Sequence, residues 1–306
     1  MIFLKKFFTA FSALLLSVSL CGCGRYIDDT ISDTQPATDV AAPTTQPVTE
    51  AVINASAGTY VYDSAGVLSP EAISNCNNYA AQLYSERLIN AAVVTTSKLD
   101  GKTPYEYAQE AYNELYEGKG SGFLLLINND TNTDYIYRTG SCQTYVTEDD
   151  VKQEIYWATK EIVSDDYEGA VMRLMKLAEN CPTHLFDNIS AFSAEKGNEL
   201  NSNIAACKSE LSVLITSNGT GIPNADLLQT YFDRRYSGGE GTMILIDTAT
   251  GSVTVKSGGE ISKELSSAVS KANAEAAKGN YEAAVTAVTD ALGGTKSKPE
   301  TTKKNS

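Results

Sequence analysis

Residues 121–140, SGFLLLINNDTNTDYIYRTG, decide the fold. The unbroken apolar run from Phe123 to Ile127 reads as a strand covered on both faces, because a strand with one wet face would alternate apolar and polar residues. The turn residues Asn129–Thr133 suit a tight reversal, and a second strand follows before Gly140. Residues 240–259, EGTMILIDTATGSVTVKSGG, share this order of glycine, apolar run, polar turn, strand and glycine. Two such hairpins at domain spacing imply two copies of one α/β unit.

Working outward from the first hairpin, Ser69 is a good N-cap, Pro70 suits the first helical turn, and Glu71 complements the helix dipole. The spacing predicts a helix over 70–87, with Ile73, Cys76, Ala80, Leu83 and Arg87 on one stripe. A strand over 91–96 and a helix over 104–117 bring the chain to the glycine turn at 118–122. After the hairpin, Thr147-Glu148-Asp149-Asp150 resembles a capping box and opens a helix carrying Val151, Ile155, Ala158 and Ile162 in phase. A last helix carries Tyr167, Val171, Leu174 and Ala178.

The second half follows the same order. Asp187 answers Asp63 at an offset of 124 residues, Gly241 answers Gly122 at 119, and Tyr281 answers Tyr167 at 114. Shorter loops in the second copy explain the shrinking offset. The expected fold is two tandem three-layer α/β/α sandwiches, each with a small mixed sheet, over 58–180 and 181–294.

The chain of 306 residues carries a formal net charge of −14, which argues against nucleic acid as a partner because phosphate binding needs clustered Lys and Arg. Lys5 and Lys6, followed by an apolar stretch over 7–20, form a secretory signal too short for a comfortable membrane span. Leu20-Cys21-Gly22-Cys23 resembles a bacterial lipobox. That pattern implies a signal peptide over 1–22 and a lipid, with acyl chains such as palmitate, on the sulfur of Cys23. The alternative is an ordinarily cleaved secreted protein. Residues 23–57, rich in Thr, Pro, Ala and Asp, read as a disordered tether reaching roughly 30 Å from a membrane. Residues 295–306 read as a basic disordered tail. The expected address is the outer face of the cell membrane, lipid-anchored and extracytoplasmic.

Four cysteines remain, Cys76, Cys142, Cys181 and Cys207. Outside the cell they allow three pairings, and buried free thiols are an equal alternative. The lone histidine, His184, lies in the junction, so chemistry shared by both halves cannot use histidine.

The lead-in from Asp63 to Leu68-Ser69, the strand over 91–96, Tyr107-Ala108, Gly122-Phe123-Leu124-Leu125-Leu126 and Gly140 together resemble the TPM-domain family. This family occurs in thylakoid-lumen proteins of photosystem II repair, in a nematode receptor modulator and in many bacterial envelope proteins. The resemblance covers both halves, with the second more diverged. It implies the sandwich fold, with acid phosphatase activity or calcium binding in some members and assembly or interaction roles in others. Members often carry an acidic residue and Asn before the central strand's glycine. Here Lys119-Gly120-Ser121-Gly122 and Gly239-Glu240-Gly241 depart from that pattern.

The candidate metal ligands are Asp63, Asp149, Asp150 and Asp187. Asp63 and Asp187 either ligate a hard cation such as calcium, which wants several oxygens, or cap local backbone N–H groups. Asp149 and Asp150 either converge with Asp63 beside the glycine turn or serve the helix start. Asp130 to Asp134 resembles the start of an EF-hand loop but lacks its glycine and terminal glutamate, so a hairpin turn is expected. The glycines at 118–122 enter a strand rather than a helix, so they lack the dipole that favours phosphate. The expected function is a membrane-anchored interaction or assembly module, calcium-modulated, with an unidentified envelope protein as partner. A metal-assisted acid phosphatase and a passive spacer are the alternatives.

Overall fold

The computed structural model describes residues 58–294, apart from 118, 132, 165 and 220, together with Tyr26–Ile27. The signal segment, Cys23 and the tail over 295–306 lie outside the described residues, as does the tether except for its two strand residues.

The first unit contains strands β2 (Val61–Asp63), β3 (Ile89–Thr96), β4 (Ser121–Asn128) and β5 (Thr133–Thr139). β2, β3 and β4 are parallel, and β5 returns antiparallel along β4. Tyr26–Ile27 forms β1, a two-residue strand parallel to β5 that extends the sheet at its edge. The tether expectation allowed no strand there. The pairing explains the difference, because β5 is the edge of the hairpin and offers free backbone groups to any extended segment.

Every residue of β3 and β4 is buried, as the apolar runs require. Alternation sends Ala91, Val93, Phe123 and Leu125 to one face and Ala92, Val94, Leu124 and Leu126 to the other. The first face packs under α1 (Pro70–Glu86), α4 (Glu148–Val163) and α5 (Tyr167–Met175). The second packs under α2 (Pro104–Tyr116). A short helix, α3 (Ser141–Tyr145), was not anticipated, because five residues are too few to show a helical period. It follows Gly140 directly. After α5 the chain tightens into a 3₁₀ turn, Lys176–Asn180.

The second unit repeats the plan. β6 (Leu185–Asp187), β7 (Leu211–Thr216) and β8 (Thr242–Asp247) are parallel, and β9 (Ser252–Ser257) is antiparallel to β8. α6 (Ala194–Ala205), α8 (Lys263–Ala276) and α9 (Tyr281–Ala291) cover one face, and α7 (Asn224–Tyr236) covers the other. Two mixed sheets, each between helical layers, make this an α/β protein with two sandwiches.

Small details recur as well. Asn77 accepts from the N–H groups of Tyr60 and Val61, and Asn201 does the same for His184 and Leu185. Ser69 and Ser193 cap α1 and α6. Glu117 and Ser237 both end their helices in the left-handed conformation. Gly122 is required by a close approach: an added Cβ would fall 2.1 Å from the Tyr112 ring.

The two units are locked by one side chain. Leu88, in the turn between α1 and β3, is 1% exposed and packs in the second unit's core with Phe186, Leu228 and Phe232. Around it, Arg234 stacks its guanidinium 3.4 Å from the Tyr84 ring centroid and donates to the Tyr84 carbonyl, while Arg235 donates to the Glu86 carbonyl. Arg87, at the end of the predicted stripe, donates instead to the carbonyl of Cys181 in the junction. Leu88→Ala is expected to remove about 2–5 kcal/mol, the usual loss for a buried leucine. It should also split a single urea transition into two, one per unit; a variant that unfolds in one step at the parent midpoint would show that the units are not coupled through this residue.

Candidate functional site

Asp63 ends β2 at the C-terminal edge of the first sheet, in register with Thr95. Its two carboxylate oxygens accept from the N–H groups of Val67 and Leu68, each at 3.1 Å. The Thr95 hydroxyl donates to one of the same oxygens, and Thr95 in turn accepts from the Ala65 N–H. The carboxylate therefore sits in a ring of donors that folds the chain back into α1. A cation would need acceptors in those positions, so these residues do not fit calcium as arranged.

Asp187 holds the matching position in the second unit. Its oxygens accept from Ile189 and Phe192, and Ile215 replaces the threonine at the neighbouring strand position. The residue is buried, 2% exposed. Burial pushes its carboxyl above the usual carboxylate range, against the opposing pull of N–H donors from Ala191, Phe192, Ile189 and Ser190. The first unit closes this edge: the Ser141 hydroxyl donates to the Asp187 carbonyl and accepts from the Asp187 N–H.

Asp150 completes the anticipated capping box. Thr147 donates both its N–H and its hydroxyl to the Asp150 carboxylate, and the Asp150 N–H donates back to the Thr147 oxygen. Asp149 is exposed beside it in the first turn of α4. The structure does not bring this pair to Asp63. Asp63 lies level with Ile127, whereas the glycine turn enters at Gly122, five residues away along β4, or about 17 Å at the usual strand rise. α4 begins near the glycine end, where Arg138, paired with Phe123, donates to the Val146 carbonyl. The expected convergence fails because the hairpin carries the chain back to the opposite end of the sheet before α4 starts.

The EF-like stretch is a hairpin turn, as expected. Asp134 accepts from the Asn128 N–H across the hairpin, and Asp130 accepts from the Leu99 N–H, tying the turn to the loop after β3. Among the described residues no group of three or more His, Cys, Asp or Glu side chains is arranged to hold a metal. His184 Nδ1 lies 3.2 Å from the Leu211 carbonyl, beside the junction.

The glycine turn of the first unit serves the contact between units. The Ser121 N–H and hydroxyl both donate to Asn188 Oδ1, and Asn188 donates to the Tyr231 hydroxyl. Beside them lies a cavity of about 210 Å³ lined by Lys119, Thr216, Asn218 and Ile222 among others. A larger furrow of about 1330 Å³ runs along α8 and α9, past Lys263, Lys271 and Asp290, and none of the candidate carboxylates lines it.

Two features escaped the sequence reading. Asp247, at the end of β8, accepts from Asn218, Ala249, Thr250 and Asn224. Although burial opposes ionisation, the Thr250, Asn218, Asn224 and Ala249 donors hold its carboxyl below the usual range. The other is an exposed aromatic patch on α4. Tyr156 and Trp157 are 58% and 43% exposed, their rings edge-on at 5.3 Å, with Lys160 Nζ over both. Val163, 79% exposed, extends the patch a turn further, and Tyr167 opens the next helix. The available signal was phase: the only tryptophan falls outside the stripe of Val151, Ile155 and Ala158.

Among known proteins, residues 61–181 match the model of the TPM domain, named TPM_phosphatase. No curated protein matches the chain. A solution NMR structure of the N-terminal domain of a protein from P. gingivalis is similar at 16% identity, over 40% of this chain and 82% of that one, with a TM-score of 0.36. Over residues 61–181 the first unit is thus similar to the TPM domain.

Two outcomes follow from the carboxylates. Asp63→Asn should lower the melting midpoint by the same amount in EDTA and in millimolar calcium, reflecting loss of about 1–2 kcal/mol of capping. A calcium-dependent rise in the parent that vanishes in the variant would reverse the capping assignment. For Asp247 the folded pKa is depressed, so its stabilisation is present above the unfolded carboxylate value of about 4 and is lost as pH falls through the folded one. Asp247→Ala should cost about 1–3 kcal/mol at neutral pH and converge with the parent in acid. Parallel melting curves across pH 7 to 2 would remove that assignment.

Proposed function

We propose that this protein is a lipid-anchored, extracytoplasmic interaction module, held through Cys23 on the outer face of the cell membrane. Its second unit is a diverged copy of the TPM domain, docked on the first as a single body. The partner is an envelope protein. The reading is supported above all by the exposed patch of Tyr156, Trp157, Lys160 and Val163 on one helix. Exposed aromatic anchors of this kind are enriched where proteins bind one another, since a rigid ring buries much area with little loss of side-chain entropy.

The name of the matched family keeps a second reading in play, a metal-assisted phosphatase using Asp63 with Asp149 or Asp150. It would require Asp63 to exchange its three donors for a metal and to gain a second carboxylate from the far end of the sheet. The calcium clause of the module reading meets the same obstacle at Asp63. A passive spacer would leave the aromatic patch without a role.

A photo-crosslinking amino acid placed at Tyr156 or Val163 in living cells should trap one defined envelope protein, and Trp157→Ala should reduce that adduct at least tenfold. Equal trapping from positions on the exposed face of α8 would show that the patch is not a binding surface. Phosphomonoester hydrolysis by the purified protein, lost in Asp63→Asn, would move the reading to the enzyme.

A further inference from the structure

We propose that Cys142 and Cys181 form a disulfide that clamps both ends of the α4–α5 helical hairpin to the base of the first sheet. The sulfurs lie 3.6 Å apart, and both residues are buried at the same point of the core. A disulfide needs about 2.05 Å between sulfurs, so closing the gap takes an approach of about 1.5 Å, within the range of small side-chain rotations. Cys142 sits in α3, just after the hairpin, and Cys181 follows the 3₁₀ turn after α5.

The other two thiols are placed elsewhere. Cys76, on α1, points its sulfur at Met172, 3.7 Å away. Cys207 belongs to the second unit and lies against the carbonyls of Asn203 and Thr289. Each of the three pairings the sequence allows has two bonds; the structure brings together only Cys142 and Cys181, which leaves Cys76 and Cys207 as free thiols.

The reaction is thiol–disulfide exchange. The S–H bonds of Cys142 and Cys181 break, one S–S bond forms between them, and their two electrons and two protons pass to an oxidising disulfide, which leaves as two thiols. Burial raises the Cys142 pKa, with the Cys181 thiol alongside adding to the effect, so the folded thiol is a poor nucleophile. The bond therefore forms during folding, before the core closes over it.

The position gives the bond a mechanical role. The loop it closes, from 142 to 181, contains α4 with its aromatic patch and α5, which are already tied together by Arg173 reaching Glu154 and Glu161. One anchor bonds to the second unit, Ser141 beside Cys142 to Asp187, and at the other the Cys181 carbonyl accepts from Arg87 of the first unit, next to Leu88. The bond thus holds the patch and the contact between units in one frame. Its existence in the cell rests on the extracytoplasmic reading, whereas its geometry does not.

The test uses the full-length protein, unfolded, refolded in a mixture of oxidised and reduced glutathione, then alkylated under denaturing conditions and mapped by mass spectrometry. The expected result is one linked peptide pair containing Cys142 and Cys181, with Cys76 and Cys207 alkylated, and a melting midpoint roughly 10 °C lower after dithiothreitol. Four alkylated cysteines, or a bond involving Cys76 or Cys207, would overturn the pairing. Protein alkylated directly on cell lysis separates the two readings: a pair that arrives reduced but oxidises correctly on refolding counts against the extracytoplasmic address and supports the geometry. Cys142→Ser should abolish both the linked peptide and the effect of dithiothreitol on melting.

Discussion

Leu88 is a residue of the first unit folded into the core of the second, and much of the architecture follows from that displacement. It takes a left-handed backbone conformation, φ 52°, an unfavourable choice for leucine that the surrounding packing must offset. The reward is a sealed apolar contact with Phe186 and Phe232 at the middle of the boundary between units. Polar groups then ring it: Arg234 and Arg235 on one side, Ser121, Asn188 and Ser141 on the other. Gly197 contributes by absence of a side chain, since a Cβ there would collide with the Tyr145 hydroxyl. The boundary resembles a small protein interface, with a buried apolar centre and a hydrogen-bonded rim.

This docking breaks the symmetry of the two units. In α/β proteins ligands commonly bind beyond the C-terminal ends of parallel strands. At that end of β6 the second unit meets Ser141, Gly140 and Ser121 of the first. At the matching end of β2 the first unit keeps Asp63 half-buried, with Ser64 and Gly66 exposed beside it. The same aspartate thus performs the same local capping in two environments, one closed by a neighbouring unit and one open.

The sequence made the sheets legible because their physics is local. A strand covered on both faces needs consecutive apolar residues, and Phe123 to Ile127 and Met243 to Ile246 supply them. Caps such as Ser69 and Thr147 act within three residues of themselves, so they too could be read directly. The boundary was not legible, because its residues look like turn residues: Ser121, Gly140 and Asn188 are as suited to a solvent-facing loop as to a contact. The proposed meeting of Asp63 with Asp149 depended on which end of the sheet α4 starts from, and that is set by a hairpin returning the chain along β4 rather than by composition. Trp157 was readable in principle, since its phase excludes it from the core stripe.

The aromatic patch and the boundary are linked by the covalent path of the chain. The α4–α5 hairpin leaves the sheet at α3 and returns at the 3₁₀ turn, and these two points lie together because the thiols of Cys142 and Cys181 are in contact. A load applied at Trp157 is therefore delivered to Ser141 on one side and to the Cys181 carbonyl on the other. Both of these bond across or beside the boundary between units. The proposed partner surface and the docking of the second unit consequently share the same small region of backbone, and on that proposal the second unit, its own strand ends closed, braces the base from which α4 projects.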